Sequence, residues 1–159
     1  MNKENQPGNP RSVTVFGGAI RITFCVERES TDGRYSLYEI TCEPGSGPPL
    51  HVHSDIDEAF YVVSGAFQFQ IGEERLPAPA GWFGQGPRHI PHAFTACGST
   101  PAKLVMVVSP GGLEEFFVGL GELTADREAD MAKVTALFAE HGMTVVGPPV
   151  PVPGHDETA

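Results

Sequence analysis

Basic charge is scarce in this 159-residue sequence. Ten Lys and Arg stand against twenty Asp and Glu, a formal net charge of −10 with histidine neutral. Nucleic acids and anionic membrane surfaces attract clustered positive charge, so neither is expected as a partner. Cysteine is scarcer still: Cys25, Cys42 and Cys97 are odd in number, far apart and in no C-x-x-C pair. This argues against a disulfide scaffold or a thiolate zinc site, and it fits a reducing cytoplasm. Long hydrophobic runs are missing, since no stretch approaches the roughly 18 apolar residues of a membrane span. The opening MNKENQPGNPR lacks the apolar centre of a signal peptide, so a cytoplasmic protein without a membrane anchor is expected.

What is present is enough for one core. Hydrophobic residues are 40% and charged residues 19% of the chain, too apolar for global disorder, and the length suits one domain. Nineteen glycines and fifteen prolines without a G-x-y period read as tight turns between short strands. Residues 1–11 are polar and proline-bearing, an expected flexible arm. Residues 12–110 carry a strand pattern: Ile20, Ile22, Phe24 and Val26 alternate with the rest, as one buried face of a sheet requires. Strands are also expected at 35–43, 59–63, 66–71, 82–85, 92–97 and 103–109, with Ser64-Gly65 as a hairpin turn. After Pro110-Gly111-Gly112 the period approaches 3.6, and residues 111–146 are read as a helical segment with helices over 113–120 and 126–141. Residues 147–159 form a proline-rich tail. About eight short strands followed by one or two C-terminal helices give an all-β class, a sandwich or a barrel.

The chemistry concentrates between positions 51 and 92, where four of the six histidines lie. His51 and His53, two apart in a strand, leave on one face. Glu58 follows after a short loop, and His92 thirty-four residues later. Three imidazoles and a carboxylate can hold one divalent transition metal with positions left for water, substrate or O2. The competing reading is of satisfied histidines beside a solvated acidic loop.

Gly45-x5-His51-x-His53-x4-Glu58-x6-Gly65 resembles the first motif of the cupin superfamily at every defined position. Pro87-x3-Pro91-His92, after Pro79-Ala-Gly81, resembles the second. The phrases GPPLHVHSDIDEAFYVVSGAF, PRHIPHAF and VSPGGLEEFF are similar to small single-domain cupins of the quercetin dioxygenase-like kind, over about half the chain. The resemblance implies a double-stranded β-helix, or jelly-roll barrel, with His51, His53, Glu58 and His92 on the metal. It also implies a homodimer. The sequence departs from the second motif at His89, where glycine is usual, at Ala96, where asparagine is common, and at Trp82, where aspartate is. His89 is either a donor behind the metal or an exposed turn residue.

The resemblance further implies a dioxygenase of a small, largely apolar phenolic or enolic, flavonol-like compound, with Glu58 as ligand and base. Tyr61, Phe67, Phe69 and Phe94 are candidate pocket residues, although aromatics in strands are more often plain core. Arg75 and Arg88 are the only strong cations between His51 and Cys97, too few for a phosphorylated substrate. A redox-neutral isomerase, cyclase or lyase would need the same four ligands, and a ligand-binding cupin remains a third reading. Imidazole and carboxylate ligands suit Fe, Ni, Mn, Cu, Co and Zn alike, so the metal is open.

Overall fold

The structure is a computed structural model and describes residues 10–126 and 128–154. Most of the arm expected over 1–11, and the last five residues of the expected tail, lie outside these. Eleven strands and two helices follow one another: β1 Ser12–Val15, β2 Ile20–Val26, β3 Ser36–Cys42, β4 Pro49–His53, β5 Asp57–Ser64, β6 Ala66–Ile71, β7 Glu74–Pro79, β8 Phe83–Gly86, β9 His92–Cys97, β10 Ala102–Ser109, α1 Glu114–Leu123, α2 Met131–Glu140 and β11 Met143–Pro149. They make two antiparallel sheets, β1-β2-β3-β10-β5-β8 and β11-β4-β9-β6-β7. The sheets face each other as a jelly-roll barrel, as the resemblance implies.

Alternation puts the apolar side chains between the sheets. In β3 Ser36, Tyr38, Ile40 and Cys42 are buried while their neighbours are half-buried, and in β10 Ala102, Leu104, Met106 and Val108 do the same. Fully burying such a side chain contributes about 1.5–3 kcal/mol. Phe60, Phe67, Phe69 and Phe94 form one aromatic cluster with mutual centroid distances of 5.1–6.2 Å, and Trp82 lies on Phe69 at 4.5 Å. A second cluster, Phe24, Tyr38 and Phe117, ties α1 to the six-stranded sheet.

Three expectations need correction. Ser64-Gly65 does not close a hairpin: β5 belongs to one sheet and β6 to the other. The chain turns the corner at Gly65, whose φ is +71° and where a Cβ would come within 2.7 Å of Ala102 Cβ, so only glycine fits. The strands β7 and β11 contain Pro77, Pro79, Pro148 and Pro149, which read as breakers. Both are the outer strands of the five-stranded sheet, where a missing N–H breaks no ladder. The proline-rich run from residue 147 is thus, up to Pro149, part of a strand paired with β4. The second helix begins only at Met131, because the Asp130 carboxylate accepts the N–H groups of Ala132 and Lys133 and caps it there. No described helix is long and apolar enough to cross a membrane.

Candidate metal centre

Four candidate ligand residues arrive from three strands. In β4, Pro49, His51 and His53 are buried and Leu50 and Val52 half-buried, so the period of two sends both imidazoles inward. Glu58 is the second residue of β5 and His92 the first of β9, where it pairs in register with His51. One donor atom from each of His51, His53, Glu58 and His92 lies within 4.8 Å of the others, and all four residues are buried.

The backbone orients two of the rings. His51 Nδ1–H donates to Pro49 O at 2.8 Å and His92 Nδ1–H to Ile90 O at 3.0 Å, each to the carbonyl two residues back. Carbonyls only accept, so the proton is on Nδ1 and Nε2 faces the centre. Room for His92 comes from Gly86 of β8, opposite Glu58 in register. A Cβ there would sit 2.9 Å from the His92 ring. The loop before β9 is held by Arg88, whose backbone and guanidinium donate to Asp57 at 2.7–3.2 Å. That bond keeps the Asp57 carboxyl down at about 2.

The donors fit a cation. His53 is 1% exposed, yet neither of its ring nitrogens has a hydrogen-bond partner among the described residues. Its Nε2 approaches Glu58 Oε1 to 3.1 Å, off the line that a hydrogen bond requires. Leaving a buried nitrogen unpaired costs about 1–3 kcal/mol, which a cation between the four groups would recover. Opposite donors of a shell with bonds of about 2.2 Å stand about 4.4 Å apart, close to the spread observed.

Electrostatics agree. Burial, reinforced by nearby His92, drives the His51 pKa down to about 4, so its Nε2 lone pair is free at neutral pH. Burial would raise Glu58, but its contacts with His53 and His92 outweigh this and hold the carboxyl well below its ordinary range. His92 Nε2 lies 2.8 Å from Glu58 Oε2. Burial disfavours its charged form, and the carboxylate outweighs burial and raises its pKa. A proton on His92 and a divalent cation are therefore alternative ways to neutralise Glu58.

The site opens into a cavity of about 60 Å³ bordered by His51, His53 and Glu58. Ile20, Ile22, Ile40, Phe94 and Met106 form its barrel side, and Phe116, Phe117, Leu120 and Phe138 reach in from the two helices. Of the expected pocket residues, Phe94 borders this cavity. Phe67 and Phe69 are buried in the aromatic cluster outside its wall, and Tyr61 is half-exposed. His89 is exposed, with φ +67°. Its backbone N–H, rather than its imidazole, reaches the site by donating to His53 O at 2.8 Å. Sequence reading missed Gly86 and the helical aromatics. The G-Q-G-P spacing holds no sign of the first, and the 3.6 period after Gly112 shows that the helices bury a face without showing what that face meets.

Residues 38–108 match the family model described as "Cupin domain", and that segment holds the buried three-histidine, one-glutamate cluster. Solved structures agree in fold. KdgF from Halomonas sp. aligns at TM-score 0.54 and 20% identity, over 59% of this chain and 81% of that one. A predicted oxalate decarboxylase from Thermotoga maritima gives 0.59 and 19%, over 69% and 99%. The polyketide cyclase RemF from Streptomyces resistomycificus gives 0.57 and 17%, over 69% and 80%. The search of curated proteins finds no match.

Proposed function

We propose that the protein is a metal-dependent enzyme, a dioxygenase of a small, largely apolar enolic or phenolic compound, with His51, His53, Glu58 and His92 as the ligands. One observation carries the reaction type. Apart from the ligand residues, every side chain bordering the cavity is apolar. Redox-neutral proton shuffling generally uses an acid and a base in separate places. Here Glu58 is the one carboxylate bordering the cavity, and the wall supplies no second group to return a proton. A redox-active metal would supply Lewis acidity and electrons for reaction with O2. The chain's own part is narrower. Glu58 would accept the proton of a substrate hydroxyl at the carboxylate oxygen that otherwise faces His92. The Nδ1–H bonds of His51 and His92 keep their Nε2 atoms aimed inward. The apolar wall excludes water and leaves the substrate's oxygen end nowhere polar to go but the metal.

The test is elemental mass spectrometry of natively purified protein followed by oxygen-electrode assays on enolic and phenolic compounds. About one redox-active metal ion per chain, lost from the His51→Ala/His53→Ala double variant, together with oxygen uptake, is expected. Stoichiometric metal retained in that variant overturns the ligand assignment. Turnover without oxygen uptake overturns the dioxygenase in favour of a redox-neutral enzyme, and protein folded without metal favours a binding protein.

A further inference from the structure

Most of the cavity wall is not made by residues 38–108, the segment matching the cupin family model. The helices supply its aromatic side. Phe138 of α2 stands edge-on to the His51 ring at 5.7 Å and 73°, and Phe116 of α1 meets Phe138 edge to face at 4.8 Å and 82°. Both phenylalanines are buried, so these rings separate the candidate ligands from the exterior on that side.

The wall is fastened at both ends of α1. At its start the Glu114 carboxylate accepts Ser36 Oγ–H at 2.6 Å and the Arg28 N–H at 2.9 Å, while the Tyr38 hydroxyl accepts the Leu113 N–H at 3.2 Å. At its end Thr124 accepts from Phe16 N at its hydroxyl and from Gly17 N at its carbonyl, both at 2.8 Å. Helix α1 is thereby held to the barrel by buried polar contacts as well as by Phe117. Such anchoring suits a wall of fixed shape better than a flap.

The space this wall leaves is about 60 Å³. A water molecule needs about 10–15 Å³ on this measure, so the cavity holds about four to six non-hydrogen atoms; an apolar cavity of about 150 Å³ is known to accept benzene. From its size and its lack of polar lining beyond the candidate ligands, we infer that the α1–α2 layer is a size-and-polarity filter, with Phe116 and Phe138 as its specificity-determining residues. The compound it admits beside the metal site is an uncharged, short-chain enolic molecule, not a fused-ring flavonol. The enolic oxygen end rests on the metal reading above; the size limit does not.

The experiment follows benzene binding by the His51 imidazole resonances, in the full-length protein as purified and after metal stripping. Wild type is expected to give no shift up to the solubility limit of benzene. Phe138→Ala, which opens volume against His51, is expected to bind benzene at least tenfold more tightly and to shift those resonances. If Phe138→Ala does not fold, Phe138→Leu carries the same comparison with a smaller gain. Benzene binding by wild type as tight as by the variant, or a folded variant that binds none, overturns the filter. A filter that passes in stripped protein while native protein holds no metal leaves the size limit standing and removes only the metal reading.

Discussion

Gly86→Ala tests the construction of the candidate metal centre without touching any of its four candidate ligands. The new Cβ would lie 2.9 Å from His92 Cδ2 and Cγ and 3.0 Å from Cε1, where ordinary contacts begin at 3.4 Å. Either the ring or strand β8 must move by about 0.5 Å. The ring has little freedom, because its Nδ1 is bonded to Ile90 O and its Nε2 faces Glu58. Metal–ligand distances tolerate about 0.2 Å, so half an ångström is enough to spoil one bond. A displaced supporting group typically costs about 10–100-fold in metal affinity, and overpacking a buried site costs about 1–3 kcal/mol of stability. Chelator competition gives the affinity, and thermal unfolding of metal-stripped protein gives the stability. Gly147→Ala, whose Cβ would meet only the flexible Leu50 side chain at 3.3 Å or more, is the comparison and should change neither greatly. Unchanged metal affinity in a folded Gly86→Ala variant would refute the argument that an absent side chain makes room for His92.

Two further outcomes are expected. At His89, φ of +67° costs a non-glycine residue about 1–2 kcal/mol, against glycine's extra unfolded-state entropy of about 0.5–1 kcal/mol. His89→Gly should therefore match or slightly exceed wild type in thermal stability and keep its metal, while His89→Val falls below both; metal loss in His89→Gly would assign the imidazole side chain a part in the site. His51 has a folded pKa of about 4 against about 6.5 unfolded. Its neutral form is the one the fold tolerates, so its contribution to stability is complete above pH 6.5 and falls away toward pH 4. The loss is about 3 kcal/mol at most. His92, with a raised pKa, contributes in the opposite sense, fully below pH 6.5 and less as pH rises through its folded value. Urea denaturation of metal-stripped protein between pH 7 and 4 should thus show a steeper acid loss in wild type than in His51→Gln, and equal slopes would refute it.

Only half of the candidate ligand set was readable from local parity. Two imidazoles at i and i+2 share a face whatever the rest of the chain does, whereas Glu58 and His92 lie on other strands, and the motif resemblance rather than parity joined them to the pair. Parity also bears on Tyr61, an odd step from Glu58 in the same strand and therefore on the opposite, outward face. Phe67 and Phe69 are inward by the same rule, but position along the barrel is not written in a strand's alternation, and they lie outside the cavity wall. The strands β7 and β11 escaped because proline reads as a breaker unless one knows that the strand is an edge. The aromatic wall was the least legible part, since a helix period tells which side chains are buried and not what they are buried against. His89 was read as either a donor or a turn residue, and its positive φ explains why the resembling motif has glycine there.

The prolines at the two outer strands of the five-stranded sheet have a consequence for self-association. An exposed sheet edge is a template on which another chain can add a strand, the usual first step toward aggregation. Pro77 and Pro79 on one side, and Pro148 and Pro149 on the other, remove N–H groups from both templates. Growth of this sheet by strand addition is thereby disfavoured at each end. The six-stranded sheet is protected differently, by the shortness of its own edges: β1 and β8 are four residues each, which leaves an incoming strand little to pair with.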